Sequence, residues 1–368
     1  MQEKTLMNKI IYLDAAASYQ KSDCVIDAQV DFLRNHYANS GRGICANAMW
    51  TDNMVANVRR CVAASMNADA ENVVFTHGTT DAMNQIARML KLNSESVVAV
   101  SDLDHHSARL PFVMSGAGVV LCPLTDGMDI DKTKIPYADV MVLTAMSNVI
   151  GVAQDVAGII RAARKQNPDV IVVVDCAQFV VHNKIDVREW CADFVCWSGH
   201  KIGADTGVGV MYIKNPNQFG PVNWGGGMVN KIHSDEVILN TYPDVFEAGT
   251  LPLTQIAGLG VAIEDIETNR PDLKLIKYAY DALKNVPGIQ ILTRRDAALL
   301  SFVVDGMHVL DFGARIGARG VCVRVGNMCA SWIHSRLGIN GSVRISVGAY
   351  NTIDEIKQVI EYIKDIVK

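Results

Sequence analysis

Lys201 stands in Trp197-Ser198-Gly199-His200-Lys201, directly after the apolar run Cys191-Ala192-Asp193-Phe194-Val195-Cys196. An amine at the mouth of a buried strand, beside serine, glycine and histidine, has the surroundings to condense with a carbonyl as a Schiff base. A solvated loop lysine could sit in the same residues, so the decision rests on four other strand ends. Phe75-Thr76-His77-Gly78-Thr79-Thr80 joins a strand to a helix. Its glycine and two hydroxyls offer a phosphate free N–H groups, a positive dipole end and two O–H donors, though they also read as a plain helix cap. Asp102-Leu103-Asp104-His105-His106 supplies an imidazole that could stack on an aromatic ring and share in proton transfer. With no further ligand cluster nearby, no metal site is expected there. Met146-Ser147-Asn148 places an amide, or simply a turn residue, after another strand. Ile171-Val172-Val173-Val174-Asp175-Cys176-Ala177-Gln178 puts a carboxylate just beyond a very apolar strand, where it is costly without a positive partner. A protonated pyridine nitrogen is such a partner. Phosphate cradle, imidazole, amide, carboxylate and amine, together and in this order along the chain, specify pyridoxal phosphate (PLP), whose protonated ring serves as an electron sink.

Elements of one kind must bring these residues together. From about residue 70 to 215 short β-rich runs alternate with helical patterns. Strands are expected at 72–75, 97–100, 118–122, 139–144, 170–174, 193–197 and 208–213, and helices at 79–92, 107–115 and 155–166. This alternation predicts right-handed βαβ units and a mostly parallel sheet flanked by helices, with ligands bound outside the carboxyl ends of the strands. The short connection between 193–197 and 208–213 fits a hairpin or bend better than a helical crossover. Helices follow at about 254–269 and, after Arg270-Pro271, to about 285. The remainder reads as two strands, a helix (308–318), a strand (321–325), a short helix (331–337), a strand (342–347) and a helix (352–367). Thr352-Ile353-Asp354-Glu355 is a capping box for that last helix. The expected organisation is a large domain over 20–255 and a smaller α+β domain built from 1–19 and 256–368.

Composition narrows the class. With 49% hydrophobic and 20% charged residues among 368, the chain has the make-up of an ordinary globular protein. Net charge is −5 and the basic residues are scattered, so no nucleic-acid surface is expected. The polar start Met1-Gln2-Glu3-Lys4-Thr5 is unlike a signal peptide, and runs such as Ile171-Val172-Val173-Val174 are too short to cross a bilayer. A cytoplasmic protein without membrane association is expected. Nine cysteines with no Cys-x-x-Cys pair suggest neither a disulfide scaffold nor a structural zinc site.

The motifs are ordered along nearly the whole chain. To those above are added Tyr12-Leu13-Asp14-Ala15-Ala16-Ala17, Ser147-Asn148-Val149-Ile150-Gly151, Gly225-Gly226-Gly227-Met228, Phe246-Glu247-Ala248-Gly249-Thr250, Arg324-Val325-Gly326-Asn327-Met328-Cys329-Ala330 and Arg344-Ile345-Ser346. On these residues the chain resembles the class V aminotransferase group of fold-type I PLP enzymes. Within that group it is most similar to the Suf-type cysteine desulfurase/selenocysteine lyase family. The resemblance implies that Lys201 holds PLP and shuttles the substrate Cα proton, Asp175 pairs with the ring nitrogen, and Gln178 bonds the ring hydroxyl. It further implies that His105 stacks on the ring, Asn148 lies close to cofactor and substrate, and Thr79, Thr80, Ser198 and His200 hold the phosphate. Thr250 would reach the phosphate of a neighbouring subunit, which implies a homodimer, and Arg344 would clamp the substrate carboxylate.

Cys329 bears on the reaction. It falls between a strand and a helix, on a loop, and a helix N-terminus there would favour its thiolate. By resemblance it would take the sulfur of L-cysteine as a persulfide, release L-alanine, and pass the sulfur to an acceptor protein for iron–sulfur cluster or thio-cofactor synthesis. Asn327-Met328 stand where the family usually has two histidines, and Arg42-Gly43-Ile44-Cys45 where it has Arg-Gly-Ile-His. The alternatives are a selenocysteine lyase, another class V aminotransferase, lyase or epimerase that does not use Cys329, or a non-catalytic partner subunit of a sulfur-transfer complex.

Overall fold

The computed structural model describes residues 10–368 apart from Arg42 and Asp235. Residues 1–9 of the expected small domain, and Arg42 of the Arg-Gly-Ile-Cys motif, therefore lie outside the described residues. The chain opens with the short strand β1 (Ile11–Tyr12). Two helices that the sequence reading left unassigned come next: α1 (Asp23–Asp31), prolonged by a π-helical turn over Phe32–His36, and α2 (Ala46–Ser65). The alternating region then runs β2 (Val73–Thr76), α3 (Thr79–Met89), β3 (Val97–Val100), α4 (His106–Val113), β4 (Gly118–Leu121), β5 (Val140–Thr144), α5 (Val156–Gln166) and β6 (Ile171–Asp175). Short helices α6 (Phe179–His182) and α7 (Val187–Trp190) lead into β7 (Phe194–Ser198) and β8 (Gly209–Ile213). After an exposed ribbon of β9 (Val229–His233) and β10 (Glu236–Leu239) come α8 (Leu253–Thr268) and α9 (Lys274–Leu283). The chain closes with β11 (Ile289–Ile291), β12 (Leu300–Val304), α10 (Val309–Gly317), β13 (Val321–Cys322), β14 (Arg324–Gly326), α11 (Ser331–Arg336), β15 (Ser342–Ile345) and α12 (Ile353–Val367).

Seven strands form the main sheet in the order β2-β8-β7-β6-β5-β3-β4, parallel except for β8, which is antiparallel to both neighbours. Its central strands β5, β6 and β7 are buried along their length apart from Ile171, as apolar strands covered on both faces are. Successive side chains enter opposite cores. On β6, Val172 and Val174 join the core shared with α1, α2 and α8, whereas Val173 joins the one shared with α3 and α4. A second, four-stranded antiparallel sheet, β11-β12-β15-β14, has its own core with α9, α10 and α12, to which Ile11 and Leu13 contribute. Leu253, Ile256, Leu259 and Ile263 of α8 pack into the main core rather than this one.

The structure alters two sequence expectations. The single strand expected over 321–325 is two, because β13 pairs in parallel with β1 while β14 turns to pair with β15. The helix expected over 79–92 ends at Met89. The capping box is present, with Thr352 Oγ1 accepting from Glu355 N–H and the Glu355 carboxylate accepting from Thr352 N–H. Among the described residues, no helix is long and apolar enough to cross a membrane.

Candidate active site

Six strands of the main sheet run the same way, so their carboxyl ends open on one edge. A cavity of about 260 Å³ lies there, lined by Thr79, Thr80, His105, Asn148, Asp175, Gln178, Ser198, His200 and Lys201, with Ser107, Thr144, Met146 and Ala177. Nine residues singled out from the ends of five strands thus converge on one space. Thr250, Arg344 and Cys329 do not line it.

The cradle is built from two strands. Gly78 has φ +137°, a backbone region that L side chains rarely adopt, and a Cβ there would come within 3.3 Å of Ser198 Oγ. Gly209 of β8 passes so close that its own Cβ would sit 2.5 Å from Gly78 Cα. Both glycines are therefore required by the approach of β8 to the start of α3. Ser198 Oγ accepts from Thr79 N–H at 2.8 Å and lies 2.8 Å from Thr79 Oγ1, while Thr80 Oγ1 lies 2.7 Å from Ser107 Oγ. Hydroxyls and the first N–H groups of α3 are thereby gathered at a helix start.

Lys201 follows β7 in a single 3₁₀ turn. Its Nζ donates to Ala16 O at 2.8 Å and Ala17 O at 3.0 Å, and Gln178 Nε2 donates to Ala16 O at 2.6 Å. Burial, and then the nearby Arg344 guanidinium, pull the Lys201 amine down to about 8, with Asp175 and Asp14 opposing. Asp175 is 4% exposed and accepts from Ala177 N–H at 2.8 Å. Burial pushes its carboxyl up to about 6, with that N–H and Lys201 opposing. Both shifts have the same physical origin: each charge has been taken out of water without a full partner.

His105 caps α4, its Nδ1 accepting from Ser107 N–H at 3.1 Å, so in the neutral ring the proton sits on Nε2. Burial drives its pKa down to about 4, helped by Lys201, His106 and Arg344. His200 is likewise lowered to about 4, first by burial and then by Lys201 and Lys21. Beneath His105, the fully buried Asp104 accepts from Ser101 N–H, Ser101 Oγ and Thr144 Oγ1, which fixes the turn that aims the imidazole.

The Cys329 loop is fastened to the rim of this cavity. Asn148 Nδ2 donates to Met328 O at 2.8 Å, and His106 N–H donates to Cys329 O at 2.7 Å. His106 Nε2 accepts from Ser331 N–H at 3.3 Å, and its ring meets the edge of Trp332, over which the Arg109 guanidinium lies. Met328 and Cys329 both hold positive φ (51° and 53°), a conformation that costs non-glycine residues of order 1–3 kcal/mol each. The thiol itself is exposed. Arg344, by contrast, is 2% exposed, donating from Nη1 to Asn148 O at 2.9 Å and from Nη2 to Asp14 at 3.1 Å. Thr250 lines a different, wide cleft of about 840 Å³ with Arg59, Gly226, Gly227 and Glu247.

The family model for "Aminotransferase class-V" matches residues 11–359. The chain belongs to the class-V aminotransferase family. A relative named "Probable cysteine desulfurase" from Vibrio cholerae is 33% identical over 96% of this chain and 92% of its own length. A "Cysteine desulfurase" from Enterobacter sp. is 33% identical over 97% and 93%. Among solved structures, an apo cysteine desulfurase from Thermococcus onnurineus superposes with a TM-score of 0.92 at 28% identity, covering 98% of this chain and 95% of that one. The cysteine desulfurase CsdA from Escherichia coli, in an S-sulfonic acid form, gives 0.88 at 30% identity, covering 98% and 96%. The fold-type I architecture expected from the motifs is thus the one these relatives share.

As a class-V enzyme the chain uses PLP, and the cavity fits that group. A buried carboxylate short of a full partner shares the cavity with a lysine whose amine is drawn toward neutrality and with the hydroxyl-bearing start of α3. Two buried amide oxygens, Asn148 Oδ1 and Gln178 Oε1, have no partner among the described residues. Because an amide can present either its oxygen or its nitrogen, both are ready to bond a ring substituent. The sequence reading missed Ser107 and Thr144. The only signal for either was a hydroxyl beside a motif residue, at the helix start for Ser107 and at the end of β5 for Thr144.

Proposed function

We propose that this class-V enzyme is a PLP-dependent cysteine desulfurase, converting L-cysteine to L-alanine with the sulfur taken up by Cys329. The observation that carries the reading is the pairing of the Lys201 cavity with an exposed cysteine on a loop anchored to its rim by Asn148 and His106.

Bound PLP supplies an electron-withdrawing ring that weakens the bonds at the substrate Cα and Cβ. Lys201 would hold it and move the Cα proton at Nζ. Asp175, negative and buried, would keep the ring nitrogen protonated, and Gln178 would bond the ring hydroxyl. Thr79, Thr80, Ser198 and His200 would hold the phosphate. His105, neutral with its proton on Nε2, would cover the ring face and offer an N–H donor. Arg344 would bind the substrate carboxylate. The Cys329 thiolate would attack the substrate sulfur, so that an S–S bond forms as the substrate Cβ–S bond breaks and its electron pair stays on carbon to be protonated. The acceptor protein's thiolate would then attack the outer sulfur of the persulfide, so that the Cys329 S–S bond breaks, Cys329 leaves as a thiolate and the acceptor carries the sulfur to iron–sulfur cluster or thio-cofactor synthesis.

Three further parts of the reading go with it. A homodimer is supported by the position of Thr250, outside its own cavity in a wide cleft, and by exposed Trp224, Ile232, Val237 and Ile238 on and beside the β9–β10 ribbon. A cytoplasmic setting is supported by nine cysteines that are all unpaired. Two domains are supported by the two separate cores, with α8 assigned to the larger one.

Incubation with L-cysteine and a reductant is expected to release alanine and sulfide, and mass spectrometry of the Cys329 peptide should show one added sulfur. Cys329→Ala should lose sulfide release. Transamination with an α-keto acid, unaffected by Cys329→Ala, would select another class-V activity instead.

A further inference from the structure

The Cys329 thiol stands on backbone that cannot hold itself. Met328 and Cys329 both lie in the left-handed region, and non-glycine residues stay there only when their surroundings over-determine them. Every carbonyl of this turn is taken. Asn327 O accepts from Ala330 N–H at 2.8 Å and Cys329 O from His106 N–H at 2.7 Å. Met328 O accepts from Asn148 Nδ2 at 2.8 Å, and Ala330 O accepts from His334 Nδ1 at 2.9 Å. Two of these donors are backbone N–H groups, and a third belongs to Asn148, which lines the Lys201 cavity. The fourth, His334, lies on α11, 2% exposed and outside that lining.

The other ring nitrogen of His334, Nε2, is 3.0 Å from Ser342 Oγ on β15. A carbonyl only accepts, so in the neutral ring Nδ1 carries the proton and Nε2 accepts from the Ser342 hydroxyl. Ser342 is fully buried and pairs in register with Gly326, the last residue of β14 before the turn. One imidazole therefore joins the strand pair from which the turn departs to the residue on which it ends. Gly326, Ser342, His334 and Ala330 form a clasp around Asn327, Met328 and Cys329. A buried histidine with both nitrogens satisfied is ordinarily a packing residue. What sets His334 apart is that its two partners stand at the two ends of a strained turn carrying an exposed thiol.

We propose that His334 is a positioning residue for Cys329. By clasping both ends of the turn it sets where the thiol stands at the cavity rim, and so the rate at which it takes the substrate sulfur. It does this without touching cofactor or substrate. The inference rests on the reading that Cys329 is the sulfur acceptor.

His334→Leu keeps apolar bulk and removes both hydrogen bonds. In the holoenzyme its PLP absorbance and PLP affinity should match the wild type, and the KM for L-cysteine should hold. Its kcat for alanine release should fall by about 10- to 100-fold, as expected for a reacting group displaced by up to ~1 Å. Hydrogen exchange followed by mass spectrometry should speed up in the peptide covering 327–331, while the strands of the main sheet keep wild-type protection. His334→Asn, which retains a donor at the place of Nδ1, should lose less rate than His334→Leu. Unchanged kcat, or unchanged exchange at 327–331, overturns the proposal. So does a loss of kcat matched by a loss of PLP affinity, which is what a general packing defect produces. If His334→Leu does not fold, Ser342→Ala removes the other end of the clasp and should show the same faster exchange and lower kcat; wild-type behaviour there overturns the proposal. Failure of the underlying reading is distinguishable, because Cys329→Ala would then keep alanine release, which failure of the His334 assignment alone does not produce.

Discussion

The amine of Lys201 donates to the carbonyl oxygen of Ala16 at 2.8 Å, across 185 residues of sequence. The N-terminal segment is therefore the rest on which the reactive amine sits, and the same segment carries Asp14, the bridge between Arg324 and Arg344. To bond a carbonyl carbon, the amine must leave Ala16 and Ala17 and give up a proton.

That step sets a pH dependence. With Lys201 lowered from 10.5 to about 8 by burial and Arg344, the rate at which the apoprotein takes up PLP should rise about tenfold per pH unit below 8 and level off above it, because only the neutral amine reacts. Stopped-flow absorbance checks this, and a rate still climbing at pH 10 would mean an unshifted amine. The folded pKa lies below the unfolded one, so the unfolded chain binds more protons between about 8 and 10.5. Apoprotein stability should increase with pH across that window.

On the proposed reading, Asp175 is held at a cost that bound PLP would remove. Its raised pKa, about 6, means that at pH 7 the apoprotein buries a carboxylate that would be more stable in water. Asp175→Asn keeps the shape and an acceptor for Ala177 N–H but no charge. The apoprotein variant should gain of order 1–3 kcal/mol at pH 7, read as a higher urea midpoint, while its affinity for PLP falls by at least an order of magnitude. Lower apoprotein stability in the variant would show that Asp175 has a compensating partner already.

Arg59 and Glu247 form a buried bidentate pair (2.6 and 2.9 Å) that ties α2 to the loop carrying Thr250. Glu247 also accepts from Phe75 N–H, and Arg59 donates to Val73 O, so the pair is fastened to β2, the strand that leads to the hydroxyl-bearing start of α3. Glu247→Ala leaves a buried guanidinium uncompensated and should cost about 3–5 kcal/mol by urea denaturation. Arg59→Met with Glu247→Leu should recover most of that. A double variant no more stable than the single one would show that the hydrogen bonds to β2 matter more than the charge.

The alternating region was legible because its signals are local. β5, β6 and β7 are near-continuous apolar runs, as strands covered on both faces are, and the connection after β7 is short enough to favour a hairpin or bend over a crossover. α1 and α2 were not legible: their apolar faces are weakly patterned, and their burial comes from α8, some two hundred residues away. The same distance hid the split of 321–325, since only the availability of β1 as a partner separates β13 from β14.

The residue types and their order by themselves place a hydroxyl-rich helix start, an imidazole, an aspartate and a lysine at strand ends of one sheet. That much follows from periodicity and turn chemistry, which act over a few residues. Only the tertiary structure decided that Asp14 stands between Arg324 and Arg344, that Thr250 lies in another cleft, and that Cys329 is held in a left-handed turn by Asn148 and His106. Those facts depend on which distant groups share a low-dielectric space and must satisfy one another's charges and hydrogen bonds there, and that is fixed by packing rather than by local pattern.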